Sequence, residues 1–172
     1  CCLKHFPGHG SACGDTHKHF VDVTERYCIK KLLPFQALLQ KQHPLVTVMT
    51  AHIVNRQLDS EGLPATISSK MLEDYLRGDL HYDGLIVSDD LQMLALASHY
   101  SLSDRLAMAM NAGCDLLIIG NQLSYDEPMK VIDTMVSLVN NGVVSKSRLI
   151  QAANRVSTLK KHIHLINHKE AV

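Results

Sequence analysis

The chain has 172 residues, 46% hydrophobic and 20% charged, which suits one globular domain with a buried core. Lys+Arg 17 balance Asp+Glu 17, and no basic stretch with interleaved aromatics occurs, so a nucleic-acid partner is not expected. No apolar run approaches the ~20 residues that span a bilayer, so no membrane partner is expected either.

In chain order, residues 2 to 6 read as a short strand ending in Lys4-His5-Phe6, broken by Pro7-Gly8-His9-Gly10. Residues 7 to 24 read as a long loop rich in Gly, His, Thr and Asp. Loops above ~12–15 residues inside a compact domain tend to be functional. Pro34 opens a helix with Phe35, Leu38 and Leu39 on one face, and His43-Pro44 ends it. Val46 to Met49 form a second strand, leading to Thr50-Ala51-His52 and a second long loop. Ser68 caps a helix running to about Leu80, with Met71, Leu72, Tyr75 and Leu76 facing the core. Gly84 precedes a third strand, Leu85 to Ser88, and a short helical piece with Met93 and Leu96 follows. Ser103 is the expected cap of a helix from Asp104 to Asn111, which Gly113 stops. Leu116 to Ile119 form a fourth strand ending at Gly120-Asn121, and two helices, about 127–140 and 146–162, close the chain.

Strand, loop and helix repeat four times, which argues for a parallel α/β sheet. A complete (β/α)8 barrel needs ~250 residues, or ~31 per unit, so this chain has room for about half of one. An open doubly wound sheet is the alternative. No G-x-G-x-x-G or Walker A sequence follows any strand, which weakens a nucleotide-binding reading.

In parallel sheets the chemistry sits beyond the carboxyl ends of the strands. Lys4-His5, Thr50 with His52, Asp89-Asp90 and Asn121 all stand at such ends and should converge, and the long loops add Asp15, His17, Asp59 and Glu61. The apolar run Leu85-Ile86-Val87 leads directly into Ser88-Asp89-Asp90, which places Asp89 as a catalytic carboxylate. Its blander alternative makes Asp90 a helix cap and Asp89 a loop residue. In Asp15-Thr16-His17 an Asp two residues before a His can hold one tautomer and raise its basicity. Equally, Asp15 can make a local turn and leave His17 solvated.

Lys4-His5-Phe6-Pro7-Gly8-His9-Gly10 followed by Asp15-Thr16-His17 resembles the K-H-F-P-G-H-G…D-[ST]-H stretch of family 3 glycoside hydrolases, in their bacterial β-N-acetylhexosaminidase branch. Val48 to His52, Pro64 to Ser68, Tyr82 to Met93 and Ala112 to Asp115 continue the likeness in order, over about residues 1 to 160. The resemblance implies a (β/α)8 TIM barrel, of which this chain is about the carboxy-terminal half, four βα units in a single domain. It implies a retaining β-N-acetylglucosaminidase acting on peptidoglycan-derived amino-sugar glycans. By the same resemblance Asp89 matches the nucleophile, His17 the acid/base, Asp15 its partner, and Lys4 and His5 groups that bind sugar hydroxyls. Met93 lies near the nucleophile as packing.

The family's first βα units have no counterpart in this sequence. A preceding segment, a second chain that completes the barrel, or a truncated, inactive half-barrel that binds only glycan or a partner would each account for it. The start at Cys1-Cys2-Leu3, inside a strand, fits a missing amino-terminal part. No cofactor and no metal are expected. The rival is a metal protein using His5, His9, His17 and His52, since the chain holds 11 histidines. Five scattered cysteines without a C-x-x-C pair favour a reducing compartment, so a cytoplasmic location is expected, with the periplasm as the alternative.

Overall fold

The computed structural model describes residues 1–15, 18–41, 43–120 and 127–169, and of 166–169 the backbone alone. Four strands, β1 (Cys2–Phe6), β3 (Thr47–Thr50), β5 (Ile86–Asp90) and β6 (Leu116–Ile118), form one parallel sheet in the order β1-β3-β5-β6. Leu3 pairs with Val48, Val48 with Ile86, and Val87 with Leu116. Strand order therefore follows chain order across the sheet. A doubly wound sheet reverses its order partway, and this one does not. The protein is α/β with a parallel sheet, as the alternation of strands and helices predicts.

The central strands β3 and β5 owe their place to short runs with buried β-branched residues, Val48, Ile86 and Val87, while the edge strands β1 and β6 are more exposed. Phe6, Val48, Ile86, Met71, Leu72, Leu76 and Leu106 are fully or almost fully buried between sheet and helices. Phe6 meets Phe35 edge to face, ring centroids 5.4 Å apart. The helices are α1 (Leu33–Leu39), a π-wound helix Lys70–Asp79, α2 (Leu94–Ala97), α3 (Leu102–Ala112), α4 (Pro128–Asn140) and α5 (Lys146–Lys169). Among the described residues no helix is long and apolar enough to cross a membrane.

Several sequence expectations need correction. The long loop after β1 is not continuous coil. It holds a 3-10 turn at His9–Ser11 and a two-residue strand, β2 (Val21–Asp22), paired in parallel with β4 (Ile53–Val54). Two residues carry no readable period, so only the pairing reveals such strands. Leu38 does not share the buried face of α1 and is 43% exposed, while Phe35 and Leu39 are buried. The cap of α3 is Ser101, not Ser103. Ser101 is extended and its Oγ accepts from the Asp104 amide at 3.2 Å, so the helix starts two residues earlier than Asp104. Ser68 does cap its helix, with Oγ accepting from the Met71 amide at 3.1 Å. Gly113 ends α3 at φ 121°, a region that L side chains rarely adopt.

Candidate active site

The carboxyl ends of β1 and β5 and the loop after β1 enclose an open cleft of ≈ 390 Å³, lined by His5, His9, Gly10, Gly14, Asp15, Asp89 and Met93. That volume lies within the ~300–1,000 Å³ of small-ligand sites. Asp89 and His5, at strand ends, and Asp15, from the loop after β1, are therefore brought together. Lys4 is exposed on β1 and is not part of the lining. His17 and Asn121 lie outside the described residues. The Asp15 carboxylate lies 3.9 Å from Lys18 Nζ, and both side chains are exposed. Phe20 stacks on His99 with ring centroids 4.3 Å apart.

Two members expected from the second long loop do not join the cleft. Asp59 is buried and works inside its own loop. Its Oδ1 accepts from the Glu61 amide at 3.0 Å and its Oδ2 from Ser68 Oγ at 2.6 Å. Glu61 lines a different surface pocket with Asp59 and Lys70. The carboxylate of Asp59 organises the turn before the Lys70–Asp79 helix and so cannot face a ligand in the cleft.

Thr50 and His52 converge with the strand ends, but beneath the cleft, and both are fully buried. Asp89 is half-buried at the rim, and its amide donates to Thr50 Oγ1 at 3.2 Å. Asp89 Oδ1 in turn accepts from the Asp90 amide at 2.9 Å, which turns the carboxylate back along its own chain. Asp90 is not a cap of α2, whose N-cap position is Met93. The Asp90 carboxylate instead accepts from the amides of Gln92 and Gly120, both at 3.0 Å, and ties the end of β5 to the end of β6. A Cβ on Gly120 would collide with Asp90 Oδ2, so this approach needs glycine.

Sequence reading missed Thr66 and Arg105. Thr66 is buried and stands between Thr50 and His52, and Arg105 is buried with Nε donating to the Tyr100 carbonyl at 3.1 Å. Thr66 lies within the Pro64–Ser68 stretch of the family likeness, in a 3-10 turn, but that stretch does not name its role, and an arginine on an amphipathic helix carries no local signal of one. At the opposite end of the sheet, Asp115 is buried and bonds Arg77 and Arg148 at 2.8 Å each and Arg155 at 3.1 Å. Among the described residues no group of three or more His, Cys, Asp or Glu side chains is placed to hold a metal ion. His5 and His9 meet edge to face at 5.7 Å, while His52 bonds Thr66 and the Asp90 carbonyl.

The chain can now be set beside known proteins. Residues 1–159 match the Glycosyl hydrolase family 3 N terminal domain. A Beta-hexosaminidase of Alkalilimnicola ehrlichii is 36% identical over 174 residues, covering 98% of this chain and 47% of that protein. A Beta-hexosaminidase of Nitrosomonas eutropha is 32% identical, covering 98% of this chain and 49% of that one. The solved glycoside hydrolase family 3 beta-N-acetylglucosaminidase of a Paenibacillus species is similar at a TM-score of 0.82 and 32% identity, over 93% of this chain and 30% of that chain. The beta-N-acetylglucosaminidase of Thermotoga maritima superposes at a TM-score of 0.78 with 34% identity, over 92% of this chain and 34% of that one. The chain thus spans about half the length of the curated relatives it matches. With a parallel sheet, a carboxylate cleft at its carboxyl end and this breadth of likeness, the chain belongs to glycosyl hydrolase family 3.

Proposed function

We propose that the chain is the nucleophile-bearing part of a retaining β-N-acetylglucosaminidase that removes terminal β-linked N-acetylglucosamine from peptidoglycan-derived glycans. The observation that carries this reading is the convergence of Asp89, Asp15 and His5 on one cleft beyond the carboxyl ends of the strands. The names of the relatives support the substrate class. In this scheme Asp89 attacks the anomeric carbon while His17 gives a proton to the departing oxygen. The glycosyl–Asp89 ester is then opened by water, whose proton returns to His17. Asp15 steadies the imidazolium form of His17. His5 binds sugar hydroxyls from the cleft wall, and Lys4 joins it only by turning over the rim.

We place the four strands as half of a (β/α)8 barrel. Chain-order strand neighbours and the exposed Leu116 on edge strand β6, 44% accessible, support this placement. The remaining units come from a preceding segment or from a second chain. The same exposed edge favours a second reading, in which the chain alone binds glycan or a partner without turnover.

Hydrolysis of an aryl β-N-acetylglucosaminide by the chain tests both. Turnover that disappears in Asp89→Asn supports the glycosidase reading. Turnover untouched by that change overturns it. Saturable binding of N-acetylglucosamine without turnover favours the binding reading.

A further inference from the structure

We infer that His52 is a positioning residue for Asp89: a buried imidazole that closes a ring of hydrogen bonds, through Thr66 and Thr50, around the Asp89–Asp90 backbone. The inference rests on the glycosidase reading only for what Asp89 does, and not for the geometry. His52 Nε2 lies 2.8 Å from the Asp90 carbonyl oxygen. A carbonyl can only accept, so Nε2 carries the proton. His52 Nδ1 lies 2.8 Å from Thr66 Oγ1, and Thr66 Oγ1 lies 2.8 Å from Thr50 Oγ1. Thr50 Oγ1 already accepts from the Asp89 amide.

With the buried ring uncharged and its proton on Nε2, the direction of every bond follows. Thr50 donates to Thr66, Thr66 donates to Nδ1, and Nε2 donates to Asp90, so no donor in the ring is left over. Burial is what keeps the ring uncharged. Burial pulls the His52 pKa below its ordinary value, against the Asp90 carbonyl and the carboxylates of Asp89 and Asp90, which favour the charged form. His5 faces the same ring and opposes a second charge. Thr66 Oγ1 is also 3.1 Å from the Ala51 carbonyl, the acceptor it would take if the imidazole gained a proton.

Aligned hydrogen bonds in a low-dielectric interior polarise one another, and unsatisfied members are costly, so the ring behaves as a unit. It holds the backbone on both sides of Asp89. The Asp90 amide that orients the Asp89 carboxylate belongs to the residue whose carbonyl His52 grips. Nucleophile and general acid must keep a fixed separation, and a supporting layer of this kind is how such a separation is held.

The test uses the full chain and two readouts. Nitrogen-15 NMR of the His52 ring at pH 7 should show Nε2 protonated and Nδ1 bare. A doubly protonated ring, or one protonated at Nδ1, overturns the inference. Thr66→Val keeps the shape and removes the hydroxyl. It should raise hydrogen exchange of the Asp89 amide about tenfold while the Leu106 amide, buried in α3, stays unchanged. Thr66→Ser should restore protection. Unchanged exchange at Asp89, or an equal rise at Leu106, overturns the positioning role. Where the preparation turns over substrate, Thr66→Val should lower kcat about tenfold with KM little altered. Turnover insensitive to Asp89→Asn would remove the glycosidase reading, while the ring and exchange measurements would still decide the role of His52.

Discussion

The two ends of the sheet bury polar groups in opposite ways. At the amino end, the Asp115 carboxylate is fully enclosed and gathers Arg77, Arg148 and Arg155, and its Oδ2 also accepts from the Ile86 amide at 3.0 Å. At the carboxyl end, the buried groups are hydroxyls and an imidazole, and the carboxylate of Asp89 is held at the half-open rim. A buried carboxylate surrounded by guanidiniums is locked, because losing any partner leaves an uncompensated charge. A rim carboxylate resting on uncharged donors keeps its charge available to something in the cleft. The same residue type thus serves cohesion at one end and chemistry at the other, and its surroundings make the difference.

The comparison breaks most readily at Asp89. Asp89→Asn should lower turnover by at least about a thousandfold through loss of the nucleophile, with unfolding free energy changed by no more than about 0.5 kcal/mol. Steady-state kinetics paired with urea denaturation would show it, and a large loss of stability would mean that Asp89 is structural after all. Asp115→Asn should do the reverse. It strands three guanidiniums beside a neutral amide and should cost about 3–5 kcal/mol, with turnover per folded molecule preserved. A shift in denaturation midpoint equivalent to less than about 1 kcal/mol would show that solvent, not Asp115, satisfies those arginines.

Gly120→Ala probes the bridge between the two strand ends at the rim. Its new methyl meets the Asp90 carboxylate, so about 1–3 kcal/mol of stability should be lost, and kcat should fall as the Asp89–Asp90 turn shifts. Stability unaltered in thermal melts would mean that Asp90 swings away freely. The pH response sharpens the contrast further. His52 holds its proton less tightly folded than unfolded, so the unfolded chain binds more protons on acidification. Its contribution is intact above the ordinary histidine value of about 6.5 and is lost progressively as pH falls below it. Urea titrations from pH 8 to 5 should therefore show a shallower fall for His52→Gln than for the native chain. Parallel curves would reject the assignment. The smallest effect belongs to Ser101→Ala, which removes the cap of α3 far from both networks. It should cost about 1 kcal/mol in chemical denaturation and leave turnover alone.

Much of this was legible in advance, for a local reason. Strands with β-branched runs, the Gly113 stop and the Ser68 cap are set by neighbours within a few residues, and the sequence shows such neighbours directly. The position of Asp89 at a strand end follows from the same local pattern. Thr66, though inside the Pro64–Ser68 motif, and Arg105 do not show their roles in the sequence, because a hydroxyl or guanidinium reveals its role only through partners far along the chain. Asp59 and Glu61 were misplaced for the same reason. Being on a loop at the correct end of the sheet does not say which way the loop folds back.

By itself, the sequence determined the α/β class, the order of the four main strands, the family motifs and the carboxylate at the end of β5. Only the tertiary structure decided that Leu38 faces out, that Ser101 rather than Ser103 caps α3, and that Thr50 and His52 lie under the cleft rather than in it. It also decided that Asp115 holds three arginines, Arg77 from the Lys70–Asp79 helix and Arg148 and Arg155 from α5. Periodicity and capping are short-range properties of the chain. Burial and hydrogen-bond satisfaction are settled by whichever distant groups the packed strands bring within about 3 Å.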